Sequence, residues 1–238
     1  MSHYDTIGFT GITSKETLSA LINQVSPHAQ MIGDYAVYRD ASGAALWIGI
    51  NQDNEFFSAE PYFSGCLQSV WVSHVAANQY DDGFDDGTGF AHVWQNGSEE
   101  GDGDYPFIVD ILDIASFPQT TVGTAQKIAV CAFAESAELF ADEAAFKAQQ
   151  DREVPLSSTF FTPLGMFQSS DGTENQAKAS AWFIGTVRAA ETRRNELSGN
   201  DFYCCLIETH GGTLQAVFPS DMLEHAPQIG NIISGKYW

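Results

Sequence analysis

Beyond residue 34 the apolar residues of this chain fall almost everywhere into short runs bounded by Gly- and Asp-rich segments, and that punctuation constrains the fold more than any other feature. Such runs suit half-buried strands, whereas an amphipathic helix needs apolar residues three and four apart over ten or more positions. Residues 35–39 and 45–50 flank Asp40-Ala41-Ser42-Gly43, which reads as a hairpin turn with Gly supplying a positive φ. Residues 66–76 alternate so that Leu67, Trp71 and Val75 are expected on one face. Strands are expected again over 90–95, 105–114 and 125–133.

Two segments read as helices. Thr13 and Glu16 have the spacing of a capping box, and Leu18, Leu21, Ile22 and Val25 then recur at helical intervals until Ser26-Pro27 ends the pattern. A second helix is expected within 138–150, capped at Asp142 or earlier, with Phe146 on its buried side and Lys147 favourably placed near its C-terminal end.

A polar run at 168–175 reads as a linker or long loop, which divides the chain into an acidic α+β domain (1–168) and a smaller β domain (176–238), with 169–175 between them. The second part offers a strand over 177–189 with Gly185 in mid-run, a hairpin of 202–209 and 213–218 across His210-Gly211-Gly212, a helical turn at 219–223 and a last strand over 231–238. This order resembles most of an OB-type barrel, with four of its five strands placed. The resemblance is one of layout and identifies no family. The fold class expected is therefore α+β, predominantly antiparallel β, with two helices in the N-terminal part and a small OB-like barrel in the C-terminal part.

Charge is the extreme feature of the composition. Ten Lys and Arg stand against 31 Asp and Glu, a net −21, and no Lys or Arg occurs between Arg39 and Lys127, an interval holding 14 carboxylates. Such a field repels phosphate backbones and anionic membranes and attracts basic partners or cations. It implies a basic protein partner or a solubility adaptation, and makes nucleic acid and membrane poor candidates. Cys66, Cys131, Cys204 and Cys205 show neither CxxC nor metal-ligand spacing, and the adjacent pair in a strand points to opposite faces. Scattered thiols, and a start at Met1-Ser2-His3-Tyr4-Asp5 without a basic and then apolar stretch, lead to the expectation of a cytoplasmic protein.

Carboxylates on Gly-rich turns mark the candidate binding residues Asp81, Asp82, Asp85 and Asp86, then Glu99, Glu100, Asp102 and Asp104. Such loops suit a hard cation, but Tyr105 stands where an EF-hand loop needs Gly and Ile111 where it needs Glu. His74 and His92 lie on strands either side of the first loop and, if those strands pair, could approach one another with a carboxylate as a metal site. Arg188, Arg193 and Arg194 form a basic patch near Phe202 and Tyr203 that would suit a single-stranded nucleic acid, with Glu191 and Glu196 inside the patch weighing against it. Residues 230–237 copy a phosphate-binding loop except that Tyr237 replaces the hydroxyl that would bind magnesium. There is no GxSxG elbow and no GxGxxG loop, so no catalytic residue is singled out and no cofactor is expected. The functional expectation is a non-catalytic cytoplasmic interaction protein, inhibitor- or immunity-like, whose acidic surface binds a basic protein. The alternatives are a metal- or carboxylate-dependent hydrolase using 81–104, or a small-molecule or oligonucleotide binder using the C-terminal barrel. Oligomeric state is not legible.

Overall fold

The computed structural model describes residues 2–50, 56–78, 87–150, 155–166 and 178–238. It is mostly β, with two helices, α1 (Lys15–Val25) and α2 (Glu143–Ala148). The helix expectations hold in substance, with the cap of the first shifted by one residue. Ser14, one residue later than expected, is the N-cap of α1: its hydroxyl accepts the Thr17 N–H, and Thr17 Oγ1 accepts the Ser14 N–H in return. Thr17 fills the role assigned to Glu16, because only the third residue of the helix can reach back to the cap. Leu21, Ile22 and Val25 are buried and Leu18 packs beside them. The second helix is shorter than expected, because residues up to Phe140 are drawn into a strand; Asp142 caps it, accepting the Ala145 N–H at 2.8 Å, and Phe146 is buried.

A four-stranded antiparallel sheet is formed by β1 (Gln30–Ile32), β2 (Tyr35–Arg39), β3 (Ala44–Ile50) and β4 (Phe56–Phe63), in that order. The β2–β3 turn is the expected one, with Gly43 at φ +93°. The larger sheet contains β5 (Cys66–Ala77), β6 (Gly89–Gln95), β7 (Pro106–Ile111), β8 (Thr124–Phe140), β9 (Phe160–Pro163), β10 (Ala181–Arg194), β11 (Asp201–Thr209), β12 (Gly212–Pro219) and β13 (Ile232–Tyr237). Its order is β12-β11-β10-β13-β8-β5-β6-β7, with β9 added beside β10.

The 17-residue β8 joins the two halves of this larger sheet. Residues 124–130 pair with β5, 131–133 run parallel to β12, and the far end pairs with β13. Hydrogen bonding therefore passes from β8 to β13, β10, β11, β12 and back to β8. The expected boundary at 169–175 lies outside the described residues, and strands from both sides of it share this sheet. Phe183, Val187, Cys205, Ile207, Ala216, Phe218, Ile233 and Tyr237 belong to one buried cluster. Cys204 belongs to a second cluster, with the α1 face, Ala36, Leu46, Ile48 and Phe202. The adjacent cysteines thus face opposite ways, as alternation requires.

Two strand expectations need correction. Leu67 is exposed and Trp71 half-buried, whereas Gln68, Val70 and Val72 point inward. A register shift between Val72 and His74 then brings Val75 inside, so Val75 does not share a face with Leu67 and Trp71. In β10 the irregularity falls between Val187 and Ala189 and not at Gly185. Gly185 instead permits close approach: a Cβ there would lie 2.5 Å from the Glu208 carbonyl oxygen. Residues 220–225 form turns and bends and not a helical turn.

Candidate functional site

A cleft of about 520 Å³ opens between β4 and β7, over the backbone of β8. Pro61, Tyr62 and Phe63 form one wall, Val109, Ile111 and Phe117 the other, and Ile128, Val130 and Phe133 the floor. Among the described residues no Lys or Arg lines it, and its charged lining groups are Asp110 and Asp113. Both flanking strands are sheet edges: β4 pairs only with β3 and β7 only with β6 among the described residues.

Trp238 closes one end. Its backbone pairs with Phe133 in both directions, which fixes the indole, and Nε1–H donates to the Asp110 carboxylate. His3 stacks flat on the other side of that indole, ring centroids 4.2 Å apart and planes 6° from parallel. His3 Nε2 lies 3.8 Å from Glu135, which also pairs with Lys236 at 2.5 Å. Asp110, Trp238, His3, Glu135 and Lys236 thus form one polar chain along the edge of an apolar cleft. Burial by the cleft walls pushes the Asp110 carboxyl up from its ordinary range, against the downward pull of the Trp238 N–H. Burial likewise pushes the His3 imidazole down, more than Glu135 raises it, and Lys236 adds to the lowering. The Cys131 thiol, at the floor, is pushed well up by burial and by neighbouring Cys204 and Cys66. On the opposite wall the Trp47 indole N–H is buried with no hydrogen-bond partner among the described residues.

The residues marked by the sequence lie elsewhere. Asp81, Asp82, Asp85 and Asp86 are outside the described residues. Glu99 and Glu100 are exposed in the β6–β7 connection, where Asp102 accepts from the Ser98 hydroxyl at 2.8 Å and Asp104 from the Asn96 amide at 2.6 Å. Those two carboxylates therefore brace their own turn. The three arginines are each paired: Arg188 with Glu208, Arg193 with Glu191 at 2.9 Å and Arg194 with Asp201 at 3.3 Å. Arg193 also donates to the Ser42 carbonyl and lies over the Phe63 ring, tying β10 to the small sheet. His74 and His92 face one another directly across β5 and β6. Among the described residues no three His, Cys, Asp or Glu converge as a metal site.

Sequence reasoning missed Asp110, Trp238, His3 and Glu135, which lie far apart in the chain and meet only in the fold. One feature was visible: Asp110 interrupts the apolar run Phe107-Ile108-Val109-Asp110-Ile111. No described helix is long and apolar enough to cross a membrane. Protein-family models, curated proteins and solved structures were each compared with the chain, and none matches it.

Proposed function

We propose that this chain is a non-catalytic binding protein whose cleft between β4 and β7 receives an extended segment of a basic protein partner, a Lys or Arg side chain lying against Asp110. The observation that carries the reading is the Asp110 carboxylate, held by Trp238 in an apolar cleft that no Lys or Arg lines among the described residues. A solvent-accessible carboxylate whose pKa is raised by desolvation gains from an incoming cation. The flanking edges add a second inducement, since an unpaired strand edge offers N–H and C=O groups to an extended peptide. Trp47 N–H offers one further donor. The surrounding net charge of −21 would speed the encounter with a basic partner.

The pairing of β8, β13, β10, β11, β12 and β8 again supports reading that part as a small OB-like barrel whose fifth strand comes from β8, ahead of the expected boundary. In this reading the barrel is the scaffold and the cleft beside it the binding site. The ion pairs of Arg188, Arg193 and Arg194 leave the barrel little free positive charge, which favours a protein over an oligonucleotide partner. A cytoplasmic setting agrees with the free thiols. A second reading, a small-molecule amine as the ligand, is favoured by the cleft volume, which falls within the ordinary range for small-molecule sites.

The test is tryptophan fluorescence during titration with extended hexapeptides that alternate Val with Lys, against Val–Glu controls and n-butylamine. Salt-sensitive binding of the Lys peptide, weakened by Asp110→Asn, supports the proposal. Equal response to both peptides, or no response, overturns it, and response to the amine alone transfers the site to a small molecule.

A further inference from the structure

We propose that His74 and His92 form a two-imidazole site for a divalent transition metal ion, zinc or copper(II), on the exposed face of β5 and β6. Three observations outside the cleft carry this. The two residues are direct cross-strand partners, and their ring centroids lie 5.7 Å apart with planes at 83°. That spacing suits two imidazoles sharing one ion at metal–nitrogen distances of about 2.0–2.1 Å. The placement has a local cause: the register shift between Val72 and His74 turns His74 to the face that carries His92, while Val72, Val75, Ala91 and Val93 pack on the buried side. The Ser73 hydroxyl donates to the His92 carbonyl at 3.1 Å and fastens the strands at the pair. Phe90 sits beside both rings, 6.2 Å from His74 and 5.6 Å from His92, limiting their rotation.

Imidazole nitrogen selects zinc, copper and nickel over calcium or magnesium. Among the described residues no third His, Cys, Asp or Glu joins the pair, so the two imidazoles are the proposed ligands. The acidity of the chain raises the local concentration of cations around it.

The test uses the full chain in a His3→Gln background, so that the amino-terminal segment contributes no imidazole. Calorimetric titration with Zn²⁺ is expected to show one site that Mg²⁺ does not occupy. Either His74→Gln or His92→Gln, with an unchanged circular dichroism spectrum, should weaken it by about tenfold or more, as loss of a ligand requires. Electron paramagnetic resonance with Cu²⁺ should show two imidazole nitrogens, reduced to one in either variant. Undiminished binding in both variants, or no zinc or copper binding at millimolar metal, overturns the proposal.

Discussion

The buried carboxylate of Asp40 accepts the backbone N–H of Glu196 at 3.1 Å, joining the β2–β3 turn to the β10–β11 turn. It also accepts from Leu197 N–H, Ser42 N–H, the Ser42 hydroxyl and the Tyr38 hydroxyl. Burial alone would raise its pKa, but the hydrogen bonds from Ser42, Glu196 and Leu197 together outweigh it, and the net shift is downward. Stability from a carboxylate with a lowered pKa is present above the unfolded value of about 3.9 and is lost as pH falls through the folded value. Asp40→Asn, which keeps the shape but has one acceptor fewer, should cost about 1–3 kcal/mol at pH 7. Urea melts should show that difference shrinking below about pH 4. A constant difference from pH 7 to pH 3 would show that the charge is not what holds the two turns.

The α1 face gives a simpler test. Leu21 is 7% exposed and packs in the cluster that α1 shares with β2 and β3, so Leu21→Ala should cost about 2–5 kcal/mol. Ala20 is exposed, and Ala20→Ser should change stability by no more than about 0.5 kcal/mol. A Leu21→Ala loss as small as that would show that the helix does not dock.

What the sequence revealed and what it hid follow from the range of the interactions. α1 was legible because its periodicity and its cap lie within twelve residues, and the β2–β3 and β11–β12 hairpins because each is closed by a short Gly-containing turn. β4 was not, since Pro61 and mixed polarity break its alternation, and its place is set by pairing with β3. β1 and β9 are too short to show a period and exist only through β2 and β10. The face of β5 was misread because a bulge reverses inside and outside without changing composition. The cleft was illegible as a site: His3 and Trp238 stack from opposite ends of the chain, and the pairing of β13 with β8 places only the second of them. His74 and His92 were legible as a pair conditional on strand pairing, with the register left open by the turn between them.

Cleavage between the two expected units provides a test of β8 as the common strand. A protease site engineered into 169–175 would leave β8 on one fragment and its partners β12 and β13 on the other. The fragments should remain together in size-exclusion chromatography without denaturant and separate in urea, because the buried cluster of Ala132, Ala134, Phe218 and Tyr237 spans the cut. Two independently eluting folded pieces would show that 1–168 and 176–238 are self-sufficient.

Asp110 ties stability to the proposed binding, with a sign opposite to that of Asp40. A carboxyl whose folded pKa is raised is penalised once ionised, so the penalty grows as pH rises from about 3.9 through the folded value and persists above it. Asp110→Asn keeps an acceptor for the Trp238 N–H and removes the charge, so the free variant should be the more stable protein at pH 7. The gain should stay under about 1 kcal/mol, because Asp110 retains access to water at the cleft mouth and is screened there. The two proteins should converge below about pH 4, where wild-type Asp110 is protonated in both states. Saturating Val–Lys peptide should reverse the order at pH 7, raising the Tm of the wild type and leaving that of the variant nearly unchanged. Thermal melts at pH 4 and pH 7, with and without peptide, read all of these. A variant less stable than wild type at pH 7 without peptide would show that the carboxylate serves the fold, and the cleft would lose the group on which recognition of a basic side chain depends.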